Sequence, residues 1–429
     1  MYIDKIQLHN VKGFEHLSFD LSRPGGSHAG WTVFTGDNGA GKSTLLKAIA
    51  LGLVGREVAR SLQPNLQRWV RDGRAEGSIT LTLQPEQGID EYLSGGRTSY
   101  KAFDAVLNLN ENAGRVVLDD GQSKAKKLTS AARGPWSGQA SGWFSCGYGP
   151  FRRVFGASSD ATELMVAPIT ERYVTMFQEA ASLLAVDKWL RDLSHKKLEK
   201  RDAETRLLDL ILDVLRDELM PNQITVDTVD SDGLWLKDRN GLRLAWPDMS
   251  DGYRSALALL VDILRHLVKV YGFEGLTERD AQGRLTVVRS GVVMIDEIDA
   301  HLHPEWQQKI GFWLKQHFPR IQFLVTTHSP IICQAADRNG LFVLPEPGSR
   351  EPARALSEEE HQRIVAGRPD TILLTRAFGL QNTRSPLAVE SRAKYSTLKA
   401  KLNAGVKFTP TETSQFNQLK LFVQPEAED

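Results

Sequence analysis

Apolar residues recur along this chain with two different periods, and the changes of period divide it. Ile3, Ile6 and Leu8 open an extended segment, and Trp31-Thr32-Val33-Phe34 is a short apolar run of the kind found in strands buried on both faces. Leu45, Leu46, Ile49, Ala50 and Leu53 then fall at helical spacing. Between 79 and 118, the alternating runs Ile79-Leu81-Leu83 and Val106-Leu107-Asn108-Leu109, set apart by polar turns, predict an antiparallel sheet. From 171 to 220 the pattern is helical, through Leu183, Leu184, Trp189, Leu190 and Leu193, then Leu207, Leu208, Leu210, Ile211, Val214 and Leu215. This stretch lacks sustained heptads and predicts a compact helical arm instead of a coiled coil. Ser255, Ala256, Leu259, Leu260, Ile263 and Leu267 predict one face of another helix, and the runs at 291–295, 323–327 and 341–344 predict further buried strands. Beyond them a Pro/Gly/Arg-rich linker leads to helix-like stretches at 358–365, 371–378, 391–402 and 411–422. The expected fold class is α/β, with a mixed β-sheet core and an antiparallel β subdomain. Its expected divisions are 1–170, an arm at 171–220, a second lobe at 221–345 and a helical tail at 346–429.

The chemistry begins at Gly36-Asp37-Asn38-Gly39-Ala40-Gly41-Lys42-Ser43-Thr44, a complete G-x-x-x-x-G-K-S phosphate loop set between a predicted strand and a predicted helix. Glycines let the backbone amides curl around a β-phosphate, Lys42 reaches the β/γ oxygens, and the Ser43 hydroxyl is a ligand for Mg²⁺. The expected cofactors are ATP and Mg²⁺. Downstream, Val292-Val293-Met294-Ile295 runs into Asp296-Glu297, an apolar strand that delivers two carboxylates at its C-terminal edge. Asp296 suits the metal, and Glu297 suits the orientation and deprotonation of an attacking water. A second strand, Phe323-Leu324-Val325-Thr326-Thr327, ends at His328, placed to hydrogen-bond a γ-phosphate. Lys42, Glu297 and His328 are thus the candidate catalytic residues. Phosphoryl transfer is mostly positioning and charge stabilisation, so so few groups suffice.

Met249-Ser250-Asp251-Gly252-Tyr253, at the start of the helix at 255–267, resembles the signature loop of the ABC-type ATPases, L-S-G-G-Q. The resemblance implies an ABC-type P-loop ATPase head in which Ser250, Asp251 and Gly252 clamp the γ-phosphate of ATP held by a second copy. It also implies a dimer-contacting loop at Asp299-Ala300-His301-Leu302, with Asp299 near nucleotide, and a head-to-tail homodimer or an assembly of such dimers. The opening Ile3, Ile6, Leu8, Asn10, Lys12 and Phe14 is similar to the first strand of the branch that holds RecF and the structural-maintenance-of-chromosomes (SMC) proteins. Cys146-Gly147-Tyr148-Gly149-Pro150-Phe151-Arg152-Arg153 and Asp299 to Gln307 add a resemblance to anti-phage ATPases of the Septu (PtuA), retron-associated and overcoming-lysogenization-defect types. That implies a separate nuclease effector, of HNH type in the Septu case. A DNA-repair or DNA-structure-sensing ATPase of RecF type is the alternative, and a transporter motor a distant third.

One departure stands out: no glutamine follows Gly142 to Cys146, where the family places its Mg²⁺- and γ-phosphate-sensing residue, and Gln139 precedes it. Either Gln139 folds back or another group serves.

Composition sets outer bounds. Lys plus Arg and Asp plus Glu both number 53, so net charge gives no global pull on nucleic acid, which remains a candidate partner only through a local patch such as Lys196, Lys197, Lys200 and Arg201. Cys146 and Cys333 are the two cysteines, which indicates neither a disulfide framework nor a zinc cluster. Charges in residues 1–10 and the lack of a membrane-length apolar run lead us to expect a cytoplasmic protein with no membrane partner. Asp230-Ser231-Asp232 reads as a hairpin tip, and His301-x-His303 as packing near the dimer loop, not as metal sites.

Overall fold

The computed structural model describes residues 1–420 apart from 95–98, 122–127, 153–167, 180, 182, 218 and 350. It falls into two units, Met1–Pro369 and Asp370–Asp429. The first holds two large sheets. Strands β1 (Tyr2–Val11), β2 (Phe14–Asp20), β4 (Glu76–Gln84), β5 (Phe103–Asn112) and β6 (Arg115–Asp119) form an antiparallel sheet in the order β2-β1-β4-β5-β6. Its alternation sends Ile79, Leu81 and Leu83 inward, and the register sets Leu8, Ile79 and Leu107 in one buried row and Ile6, Leu81 and Ala105 in the next. Helix α1 (Lys42–Leu62) packs on that face so closely that a Cβ at Gly52 would lie 2.8 Å from Leu81.

The second sheet positions the candidate site residues. Its order is β16 (Arg354–Ala355), β15 (Leu341–Val343), β3 (Gly30–Thr35), β14 (Ile321–Thr326), β13 (Gly291–Ile295) and β7 (Ser145–Tyr148), parallel throughout except for the edge strand β16. β13 and β14 are buried at every position, which explains their unbroken apolar runs. Val33, Val325, Ile295 and Tyr148 share one row, so four strands end side by side. The two sheets are joined through one side chain: the Gln322 carboxamide accepts from the Ile3 N–H and donates to the Ile3 carbonyl, both at 2.8 Å.

Short helices α2 (Ser130–Arg133), α3 (Pro168–Glu171) and α4 (Val174–Phe177) lead to α5 (Leu184–Leu198) and α6 (Asp202–Arg216). The latter two form a hairpin laid on a meander of β8 (Thr225–Asp230), β9 (Gly233–Lys237) and β10 (Arg243–Ala245), where Ser194 and Arg216 donate to the carbonyls of Val229 and Val226. The helical stretch is therefore the cover of a small sheet. Three of the four basic residues of the 196–201 run are paired: Lys196 with Asp192, Lys197 with Asp209 and Arg201 with Glu199. Asp230 and Asp232 do form a hairpin tip, with the Asp232 N–H and the Trp235 indole donating to Asp230. Helix α7 (Asp251–Tyr271) follows, then the small pair β11 (Thr277–Arg279) and β12 (Leu285–Val287), α8 (Pro304–His317) and α9 (Pro330–Cys333).

The stretch expected as tail from 346 starts inside the first unit. β16 pairs with β15, and α10 (Glu358–Val365) is tied down by His361 on the Ala336 carbonyl and by Gln334 on the Gly367 carbonyl. A sequence pattern does not show such long-range bonds. Helix α11 (Pro369–Leu373) leads into the second unit, a hairpin of α12 (Pro386–Asn403) and α13 (Pro410–Leu419). There Tyr395 stacks on Phe416 at 4.7 Å, and Thr409 with Glu412 makes a capping box. The helix predicted at 391–402 begins earlier because Ser385 caps it and Pro386 fits its first turn. Leu421 and Phe422, the end of the last predicted helix, and Arg153 lie outside the described residues. No helix among the described residues is long and apolar enough to cross a membrane.

Candidate active site

The phosphate loop spans the gap between β3 and α1. Gly36 has φ +146°, and a Cβ there would stand 2.6 Å from the Leu344 carbonyl oxygen; Gly41, at φ +94°, would strike the Phe14 ring at 2.7 Å. Both must be glycine. Gly41 gives α1, which is kinked at Gly55, no side-chain cap, so its first-turn amides, Ser43 and Thr44 among them, have no intrahelical partner. Lys42 is buried, and among the described residues its ammonium donates to the loop itself, to the carbonyls of Gly36 at 2.8 Å and Asp37 at 3.0 Å. Burial lowers its pKa against the pull of Glu297, Asp296, Asp37 and Asp299. An uncapped helix start and a cation without a carboxylate partner fit the polyphosphate of a nucleotide.

Asp296 and Glu297 follow β13, next to β14, which in turn lies next to β3. The Thr326 hydroxyl donates to Asp296 Oδ1 at 2.5 Å and accepts from the Glu297 N–H at 2.7 Å. Thr327 repeats the device, donating to Asp299 Oδ1 at 2.5 Å and accepting from the Ser329 N–H. Two threonines at the end of one strand thus fix two carboxylates, Asp296 and Asp299, and the backbone of Glu297 at the end of its neighbour. The turn at 296–301 closes through Ala300 N–H to the Glu297 carbonyl and Leu302 N–H to the Asp299 carbonyl. Glu297 and His301 take left-handed backbone conformations, φ +45° and +66°, a strain of about 1–3 kcal/mol each for residues with a Cβ. His328 is solvent-open, yet partial burial and then Lys42 lower its pKa, opposed by Asp299, Glu297 and Asp37. Lys42, Asp37, Asp296, Glu297, Asp299 and His328 therefore form one electrostatic group.

The signature residues stand apart from that group. Ser250 is exposed at the N-terminus of α7 and makes no side-chain cap bond, and Asp251 is held by Arg254. Gly252 is pressed on the 299–302 turn: a Cβ would sit 2.4 Å from the His301 carbonyl oxygen. The charges that bear most on Lys42 and His328 do not include Asp251. Gln139 is exposed and lines a small cavity of ≈ 240 Å³ with Arg172, His266 and Lys269, none of them a candidate site residue. His303 caps α8 by accepting from the Glu305 N–H, and among the described residues no three His, Cys, Asp or Glu side chains group as metal ligands.

Sequence reasoning missed the roles of Thr326 and Thr327, of Phe14 beneath Gly41, and of Arg152, which is buried against the 296–300 backbone. Paired hydroxyls at the end of an otherwise apolar strand were the available signal for the threonines. For Arg152 the sequence carries none, since apart from Gly149 its acceptors lie over 140 residues away.

Comparison with known proteins finds similarity over parts of this chain. The chain matches an AAA-domain family described as "AAA domain, putative AbiEii toxin, Type IV TA system" over residues 176–334, and a second family described as "AAA domain" over 5–132. It is 26% identical to the Septu protein PtuA of Bacillus mycoides over 90% of this chain but 46% of that one. It is also 26% identical to the retron Ec83 probable ATPase of Escherichia coli, over 79% of this chain and 70% of that one. Thus it spans less than half of the PtuA relative's length. Among solved structures, an SMC head bound to the C-winged helix domain of ScpA aligns over 84% of this chain and 99% of that one, at 18% identity and a TM-score of 0.48. The chain thus carries a complete phosphate loop and an Asp-Glu strand, matches AAA-domain families over parts of its length, and is similar to Septu PtuA and the retron ATPases.

Proposed function

We propose that this chain binds Mg²⁺-ATP at the phosphate loop and hydrolyses it between two copies facing head to tail, as the ATPase of an anti-phage system whose nuclease, of HNH type, is a separate chain. One observation carries the catalytic part: Lys42, Asp296-Glu297 and His328 leave three adjacent strands, β3, β13 and β14, at the same edge and act on one another electrically. Mg²⁺, when bound, would be held by Ser43 and Asp296 and would neutralise phosphate charge. Lys42 would exchange its two carbonyl acceptors for β/γ oxygens. Glu297, its backbone amide fixed by Thr326, orients and deprotonates the water. His328, its pKa below the usual imidazole value, is neutral at pH 7 and can donate one N–H to the γ-phosphate.

The uncapped, exposed Ser250 at the head of a long helix supports the two-copy arrangement, because it offers an anion site that the chain's own Lys42 group does not use. The defence role rests on the relatives. Ser250→Arg mixed with Lys42→Ala should recover part of one active site, and turnover should rise more than linearly with protein concentration. An assuredly monomeric preparation at full turnover would refute the two-copy reading. Co-expression with a neighbouring HNH gene product should give a stable complex; tight binding to DNA ends or gaps with no such complex would favour a RecF-type role.

A further inference from the structure

Arg152 is 5% exposed, and among the described residues its hydrogen-bond partners are all backbone carbonyls. One guanidinium nitrogen donates to Gly149 at 3.1 Å and Asp296 at 2.8 Å, the other to Glu297 at 3.1 Å and to Ile298 and Ala300 at 3.4 Å. Four of these five carbonyls belong to the turn that carries the acids. The turn in which they converge includes the left-handed Glu297, and of the four only the Glu297 carbonyl has another hydrogen-bond partner among the described residues, the Ala300 N–H; without a cation the converging carbonyls would repel one another. Burial draws the guanidinium down to about 10 against the attraction of Asp296, Asp299 and Glu297, so it stays charged at neutral pH. Arg152 is itself anchored: it follows β7, whose Tyr148 is paired with Ile295, and Gly149 lies between.

We propose that Arg152 is a positioning residue for hydrolysis, a cation that gathers the carbonyls of the 296–300 turn and so sets the direction in which Glu297 leaves the backbone. It occupies the segment after β7 where no glutamine is found, and it acts on the base through the backbone, not on the phosphate. This deepens the hydrolysis reading of the same site and rests on it. A neutral side chain of similar length removes the gathering charge, and the turn then samples conformations in which Glu297 points elsewhere. Lysine restores the charge but not the forked donors, so it should restore the function only in part.

The test uses the full chain, with Arg152→Met, Arg152→Lys and Glu297→Gln alone and combined. Mg²⁺-ATP affinity in Arg152→Met should stay within about threefold of wild type while turnover drops by about two orders of magnitude, the range of a misplaced general base. Arg152→Lys should recover part of that loss. Added to Glu297→Gln, Arg152→Met should cost little more, since both act through one group. Amide exchange at Ala300 and Leu302 should rise by about tenfold in Arg152→Met with α1 unchanged. Unchanged turnover, an equal fractional loss in the Glu297→Gln background, or no recovery in Arg152→Lys would overturn the proposal. If Arg152→Met does not fold, Arg152→Lys carries the test, with the same readouts at smaller size. Full turnover in Glu297→Gln would defeat the hydrolysis reading instead, and the exchange at Ala300 and Leu302 would still report whether Arg152 holds the turn.

Discussion

Two groups of charges in this chain, one around Asp262 and one around Lys42, differ in how completely they satisfy themselves. Around Asp262 on α7, the Tyr148 hydroxyl donates at 3.0 Å, Arg265 donates from Nε and Nη2 at 2.8 and 2.6 Å, and His266 stands at 3.2 Å, while Arg265 and Lys269 also hold Glu171. Burial alone would raise the Asp262 pKa, but His266 and Arg265 together hold it well below the usual carboxylate range. Around Lys42 the pairing is loose: the cation leans on two carbonyls, burial lowers its pKa, and the acids are held by hydroxyls instead of cations. A closed cluster binds elements together; an open one is poised for a charged ligand. Loss of a member should therefore cost stability in the first and activity in the second.

The largest expected effect tests that division. Lys42→Ala should abolish ATP binding and lower turnover by about three orders of magnitude, with the melting temperature unchanged, by nucleotide titration and calorimetry. Glu297→Gln should keep ATP bound in a closed dimer and lower turnover by about two or more orders. If both lose affinity equally, the roles assigned to lysine and glutamate are wrong. Asp262→Ala strands Arg265 and His266 in the interior and should destabilise the chain by about 3–5 kcal/mol in urea melts. A loss below about 1 kcal/mol would mean that the cluster is not closed in the sense described.

The pH dependence differs in the same way. The folded pKa of Asp262 lies below its unfolded value of about 3.9, so its contribution to stability is complete above that value and is lost as pH falls through and beneath it. Melts of wild type and Asp262→Asn should converge as the solution is acidified. His328 also has a lowered folded pKa, so its neutral form persists below about pH 6.5 and protonation then opposes both folding and hydrolysis. The part of the acid limb of kcat/KM that belongs to His328 should lie below that pH and be lost in His328→Gln, leaving the limb of the Glu297 base. The smallest effect belongs to the ion pairs of the helical cover: Lys197→Gln should change stability by no more than about 0.5 kcal/mol, and a marked loss of DNA binding there would show that the basic run does more than face solvent.

What was legible in the sequence was what is local. The phosphate loop and the Asp-Glu strand announce themselves because strand, glycine turn and helix, or apolar run and acids, are contiguous. The α/β class and the antiparallel sheet followed from period alone. Beyond that reach lay Arg152, whose acceptors come from a distant turn, and the inclusion of β16 and α10 in the first unit, which depends on tertiary hydrogen bonds. The 171–220 helices were readable as helices but not as the cover of the β8–β9–β10 meander, because amphipathicity does not name the surface that a helix covers.

Gln322 has a mechanical consequence. Its carboxamide copies the donor and acceptor of a backbone unit, so β1 is welded to β14 where no strand pairing exists. Four residues along the same strand, Thr326 grips Asp296 and Glu297. One strand thus ties the antiparallel sheet at one end and the Asp296-Glu297 turn at the other, and it is buried along its whole length. Gln322→Glu, which removes the donor, should loosen that tie.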